Sequence, residues 1–103
     1  MDEPAPLTIS VVSDSASPVI AVGGELDLSN VDRLGTVIGD SLGPETTKLT
    51  LDVSGLRFMD SSGIALLVRT QARVGTLTLR EPSAIIRRLV EATGLTEILR
   101  LEP

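Results

Sequence analysis

The sequence predicts an α/β fold: a small mixed β-sheet of about five strands, mostly parallel, with helices packed mainly on one face. Three observations predict it. From Leu49 onward, strand-like and helix-like segments alternate, as strand, helix, strand, helix, strand, which implies parallel strands joined by right-handed crossovers. Before them stand two strand-like segments with only a turn between, which favours an antiparallel pair. The strands alternate apolar and polar residues, so one sheet face is covered by helices and the other only partly.

Residues 1–6, MDEPAP, lack periodicity and are expected to form a loose tail on a single domain spanning residues 1–103. Leu7, Ile9 and Val11 alternate with Thr8 and Ser10 as a first, half-buried strand. Ser13 to Pro18 is a polar turn cluster. Val19 to Val22 is a continuous apolar run, the mark of a more central strand. Gly23 and Gly24 are expected to end it in a tight turn. Ser29 or Asn30 can cap the next helix, whose apolar stripe is Val31, Leu34, Ile38 and Leu42. Gly43 and Pro44 stop it.

Leu49, Leu51 and Val53 then alternate with Thr50, Asp52 and Ser54 as the central strand. A helix with Ile64, Leu67 and Val68 on one face follows, running to about Val74 and ended by Gly75. Leu77 and Leu79 mark another strand. Pro82 and Ser83 open a third helix with Ile85, Ile86, Leu89 and Val90 facing inward, and Gly94 terminates it. Glu97 to Leu101 is expected to be a last short strand. No internal repeat or low-complexity segment appears.

Composition excludes several functions. The chain is 42% hydrophobic with Phe58 as its one aromatic, so the core is aliphatic and no groove can stack bases on aromatic rings. A chain of 103 residues buries roughly two-thirds of its unfolded surface and needs no metal or disulfide staple. Cysteine is absent, which removes disulfides and thiolate chemistry. No apolar run approaches the roughly 18 residues of a membrane span, and MDEPAP is not a signal peptide, so no membrane association and a cytoplasmic location are expected. The net charge of −5 disfavours direct nucleic-acid binding. It is uneven: residues 1–60 carry ten acids against three bases, whereas residues 61–103 carry six arginines against four acids. That asymmetry can steer a basic partner to one side, or reflect an ordinary solvated surface.

The chain has no histidine, which removes Ser-His-Asp catalysis, histidine bases and histidine metal ligands. A Ser–Lys dyad would need Lys48, the only lysine, and it stands at the opposite end of the central strand from Ser61. Asp27 and Asp60 could converge as paired carboxylates if both lie at one sheet edge, but no substrate pocket is evident. No enzymatic activity, catalytic residue or metal site is expected.

Between the central strand and its helix stands Met59-Asp60-Ser61-Ser62-Gly63. If Asp60 is the N-cap, the amides of Ser61 and Ser62 are among the unpaired donors of the first turn. The junction is then either a plain cap or a hydroxyl presented for modification. A phosphate there is favoured by the helix dipole and opposed by Asp60, two effects of about 0.3–2 kcal/mol that leave the fold intact. Spacing does not choose between the two.

The stretch Leu51–Leu67, LDVSGLRFMDSSGIALL, closely resembles the phosphorylation segment of the STAS-domain family of bacterial anti-sigma factor antagonists. Gly24-Glu25-Leu26-Asp27, about 35 residues before the DSSG motif, resembles the family's loop between second strand and first helix. Gly94-Leu95 matches a third segment, and the resemblance covers nearly the whole chain. It implies a STAS-type fold and partner switching. The unphosphorylated domain would bind an anti-sigma factor and free the sigma factor it holds. That anti-sigma factor would also be a serine kinase, and a metal-dependent serine phosphatase would reverse its action. By position the phosphate acceptor is Ser61. Asp27, Asp60, Ser61, Ser62 and Gly63 would form the partner-binding surface. No cofactor is expected: the resemblance makes nucleotide binding possible, but no motif in the sequence supports it. A STAS scaffold, or a module binding a small ligand or lipid, is the alternative.

Overall fold

The structure is a computed structural model that describes residues 6–103, so of the tail expected at residues 1–6 only Pro6 lies among them. The elements are β1 (Thr8–Ser13), β2 (Val19–Leu26), α1 (Val31–Ser41), β3 (Lys48–Met59), α2 (Ser61–Val74), β4 (Thr76–Arg80), α3 (Ala84–Ala92), a 3₁₀ turn (Leu95–Glu97) and β5 (Arg100–Glu102). The strands form one sheet in sequence order. β1 pairs antiparallel with β2, and every other pair is parallel.

The register lines up Val11, Ile20, Leu51, Leu79 and Leu101 as one row across the sheet. The buried side chains of the inner strands, Ile20, Val22, Leu49, Leu51, Val53, Leu77 and Leu79, lie on this face. They share one core with Leu34 and Ile38 of α1, Leu66 and Leu67 of α2, and Ile86 and Val90 of α3. The opposite face carries the row Ser10, Ala21, Asp52, Arg80 and Glu102, all polar but one, with Arg80 paired to Glu102 at 2.9 Å. A sheet covered by helices on one face is the expected arrangement.

Several expectations need correction. β2 does not end at Gly23-Gly24 but runs through both to Leu26. β3 likewise continues six residues past Val53. The cause is a pair of register shifts between β2 and β3, at Ala21/Gly23 and at Gly24/Glu25, where β3 has one extra residue each time. Each extra residue stretches the buried spacing from two to three, giving Val53, Leu56 and Met59, so the alternation is lost while the strand continues. The glycines permit this. Gly24 has φ +87°, and a Cβ on Gly23 would stand 2.7 Å from the Thr8 hydroxyl.

Two helices are rotated from the expected facing. α2 buries Gly63, Leu66, Leu67, Thr70 and Val74, leaving Val68 exposed. α3 buries Ile86 and Val90, with Ile85 exposed. Each chosen stripe contained two adjacent aliphatics, and packing takes the one nearer the helix's mean inward direction. The expected strand from Glu97 begins only at Arg100, because Gly94, at φ +75°, turns the chain into the 3₁₀ segment. Leu95 and Leu99 are nonetheless buried in the core.

Candidate functional site

The ends of β2 and β3 deliver two loops to the same edge of the sheet. Leu26 pairs with Met59 at the end of the parallel ladder, and the Asp60 N–H donates to the Leu26 carbonyl at 3.1 Å. Asp27–Asn30 therefore lies beside Asp60–Gly63.

Asp60 caps α2 with both carboxylate oxygens engaged. Oδ1 accepts from the Ser62 amide at 2.9 Å and the Gly63 amide at 3.4 Å, and also from the Ser62 hydroxyl. Oδ2 accepts from the Leu28 amide across the gap, at 3.2 Å. These donors, the Ser62 hydroxyl foremost, hold the Asp60 carboxyl below its ordinary value, against a smaller opposing effect of desolvation. One side chain thus begins the helix and fastens the neighbouring loop to it.

The two serines differ. The Ser62 hydroxyl is spent on the cap and its residue is half-buried. Ser61 is exposed, and its hydroxyl makes no hydrogen bond among the described residues. Because Asp60 already occupies the first free amides of α2, a group attached to Ser61 would project into solvent beside a carboxylate. Its tolerance by the fold then rests on exposure more than on the helix dipole.

Gly63 is buried and offers no side chain to a partner. A Cβ there would stand 2.4 Å from Met59 Cγ and 3.0 Å from Leu26 Cδ2. The glycine lets the first turn of α2 sit directly on the ends of β2 and β3, which sets the position of Ser61.

Asp27 is half-buried and turned toward its own loop. Its Oδ1 accepts from the Ser29 amide at 2.9 Å and from the Ser29 hydroxyl, and its carbonyl accepts from the Val31 amide at 2.8 Å. Asn30 stands at the N-cap of α1 without a capping side-chain bond. Its amide group instead ties the loop, accepting from Asp27 N and donating to the Glu25 carbonyl, each at 2.9 Å. Asp27 and Asp60 reach the same edge, but the hydrogen bonds of each carboxylate come from separate donors. Lys48 lies at the far end of a twelve-residue strand, roughly 35 Å from Ser61 by strand rise.

Two exposed apolar residues near Asp60 escaped the sequence reading. Leu28 is 77% exposed, and Phe58 is 44% exposed. The signal for Leu28 was an aliphatic residue in a polar loop with no place in the α1 stripe. For Phe58 it was hidden by the second register shift, which turns it away from the core.

Residues 9–101 match the family model described as Mlab, STAS domain. The anti-sigma-F factor antagonist RsfB of Mycobacterium tuberculosis is 28% identical over 104 aligned positions, covering 98% of this chain and 85% of that protein. An anti-sigma F factor antagonist of Lysinibacillus sphaericus is 33% identical over 82 positions, covering 75% and 70%. The crystal structure of an anti-sigma factor antagonist from Mycobacterium paratuberculosis superimposes with a TM-score of 0.86 at 25% identity, covering 100% of this chain and 91% of that one. The five-stranded sheet, the capped α2 and a family match over nearly the full length agree: this chain belongs to the STAS-domain family.

Proposed function

We propose that this protein is an anti-sigma factor antagonist that works by partner switching, with Ser61 as the switch. In its unphosphorylated form it binds an anti-sigma factor and so frees the sigma factor held by that partner. The anti-sigma factor is also a serine kinase. It transfers the γ-phosphoryl group of ATP to Ser61 Oγ, releasing ADP and the hydroxyl proton, and the product no longer binds. A metal-dependent serine phosphatase restores the free hydroxyl. The setting is cytoplasmic, where sigma factors and ATP meet; among the described residues no helix is long and apolar enough to cross a membrane.

The observation that carries this reading is the contrast between the two serines. At the edge shared by both loops, Ser61 alone among the described residues presents an exposed, unengaged hydroxyl, while Ser62 is consumed by the cap. The names of the relatives support the same role. Asp60, Asp27 and Gly63 act by holding the surface in shape, and Ser62 and Asp60 border the acceptor. Phosphorylation adds about −1.5 to −2 charges beside the Asp60 carboxylate. Two like charges on one contact are refused by a partner that must exclude water there. The alternative of a small-ligand module would have to use the surface: the interior apolar cavity lined by Leu34, Leu51, Val53 and Ile86 is about 10 Å³, no more than one water, whereas an open cleft lined by Asp14, Ser41 and Thr46 is about 470 Å³.

A pull-down with wild type and Ser61→Glu, read by mass spectrometry, tests the proposal. Wild type should retain an anti-sigma factor with a kinase domain, and Ser61→Glu should lose it. Equal recovery by both proteins would contradict the switch.

A further inference from the structure

The partner switch requires more than a charge. A phosphate on a wholly solvated surface is screened, and exposed charge contacts contribute little. To dismiss a partner it must fall at the border of a contact from which water is excluded, where the local dielectric is low. Something apolar must therefore seal the contact beside Ser61.

Leu28 is placed to do so. It is 77% exposed, the most exposed of the large hydrophobic residues among those described. Its backbone is fixed on one side by the donation of its N–H to Asp60 Oδ2 at 3.2 Å. On the other it is fixed by the turn that Asp27, Ser29 and Asn30 make around it. Asp27 Oδ1, the Ser29 hydroxyl and the Asn30 side-chain amide are engaged within the loop or with the end of β2, while Leu28 is left exposed. Leucine at such a position has no folding role, since it is absent from the core. Asp60 connects it to the phosphate acceptor, one residue from Ser61 and one hydrogen bond from Leu28.

We propose that Leu28 is the apolar anchor of the partner interface, filling a hydrophobic pocket on the anti-sigma factor and sealing the contact around Ser61. This rests on the antagonist reading above. It adds a residue of defined role and a mechanism of amplification: the phosphate is costly because Leu28 has dried its surroundings. The preformed loop holds the side chain in place before the partner arrives, so little ordering entropy is lost on binding. Buried central anchors of this kind dominate binding energy.

The test uses the anti-sigma factor retained by wild type, purified and titrated calorimetrically against wild type, Leu28→Ala, Ser61→Glu and the double variant. Leu28→Ala should raise Kd at least tenfold with an unchanged melting temperature, and Leu28→Met should restore most of the affinity. In the Leu28→Ala background the penalty of Ser61→Glu should shrink at least threefold, because water now reaches the charge. A change below threefold for Leu28→Ala would overturn the anchor. Independent, multiplicative effects of the two substitutions would overturn the amplification. If the retained partner is not an anti-sigma factor yet is lost with Leu28→Ala, the anchor stands and the antagonist reading falls. Retention of no partner at all would overturn both. A wild-type dimer in sedimentation that Leu28→Ala abolishes would assign Leu28 to a second copy of this chain and overturn the proposed occupant.

Discussion

Asp60 is the residue on which the site turns, because its carboxylate serves the first turn of α2 and the β2–α1 loop together. Its pKa is lowered, so the sign of the linkage is fixed. The stabilisation is fully present above the ordinary value of 3.8 and is lost as pH falls through the lower folded value. Asp60→Asn should therefore flatten part of the loss of melting temperature between neutral pH and about pH 3. Asp52, also lowered by Ser54 and, more weakly, by Arg80, keeps part of that slope in the variant. Parallel curves for wild type and Asp60→Asn would contradict the cap as described. The cap itself was legible in the sequence, as an Asp before two serines at a strand–helix junction. Which hydroxyl it consumes was not, since both serines fit the first turn and only side-chain direction separates them. The assignment of Ser61 comes from family resemblance and remains a proposal, which the exposure of its hydroxyl supports.

At the scale of elements, α2 depends on a close seat at its start and α3 on a cap. Gly63→Ala drives a methyl group into Met59 and should destabilise the protein by about 1–3 kcal/mol. At 4–8 °C of melting temperature per kcal/mol for a domain of about this size, calorimetry reads that easily. An unchanged melting temperature would mean that α2 can lift off the strand ends at no cost. Ser83 accepts from the Ile86 amide at 3.3 Å, and Ser83→Ala should cost about 1 kcal/mol. Helix and strand identities were readable because the apolar periods are clean in α1 and β4. Strand ends were not, because the register shifts beside Gly23 and Gly24 convert a period of two into a period of three. Glycine there reads as punctuation, and only the pairing with β3, which carries the extra residues, shows the strand continuing through it.

For the whole molecule, the five-stranded sheet and its helix-covered core frame one edge where two loops meet. Leu51, in the middle of the central row and 1% exposed, is the residue whose loss that core should feel most. Leu51→Ala should cost about 2–5 kcal/mol, a large share of the 5–15 typical of a domain, as measured by denaturant unfolding. The architecture was visible in the order of strand-like and helix-like segments. The outward placement of Leu28 was not, because an exposed leucine is ordinary anywhere but beside a switch. The proposed switch at Ser61 is tested by site-resolved phosphorylation. Wild type, Ser61→Ala and Ser62→Ala are each incubated with the kinase-type anti-sigma factor and ATP, and the products are mapped by tandem mass spectrometry. Wild type and Ser62→Ala should each gain one phosphate, at Ser61, and Ser61→Ala should gain none. Phosphate that persists in Ser61→Ala and disappears in Ser62→Ala would contradict the account.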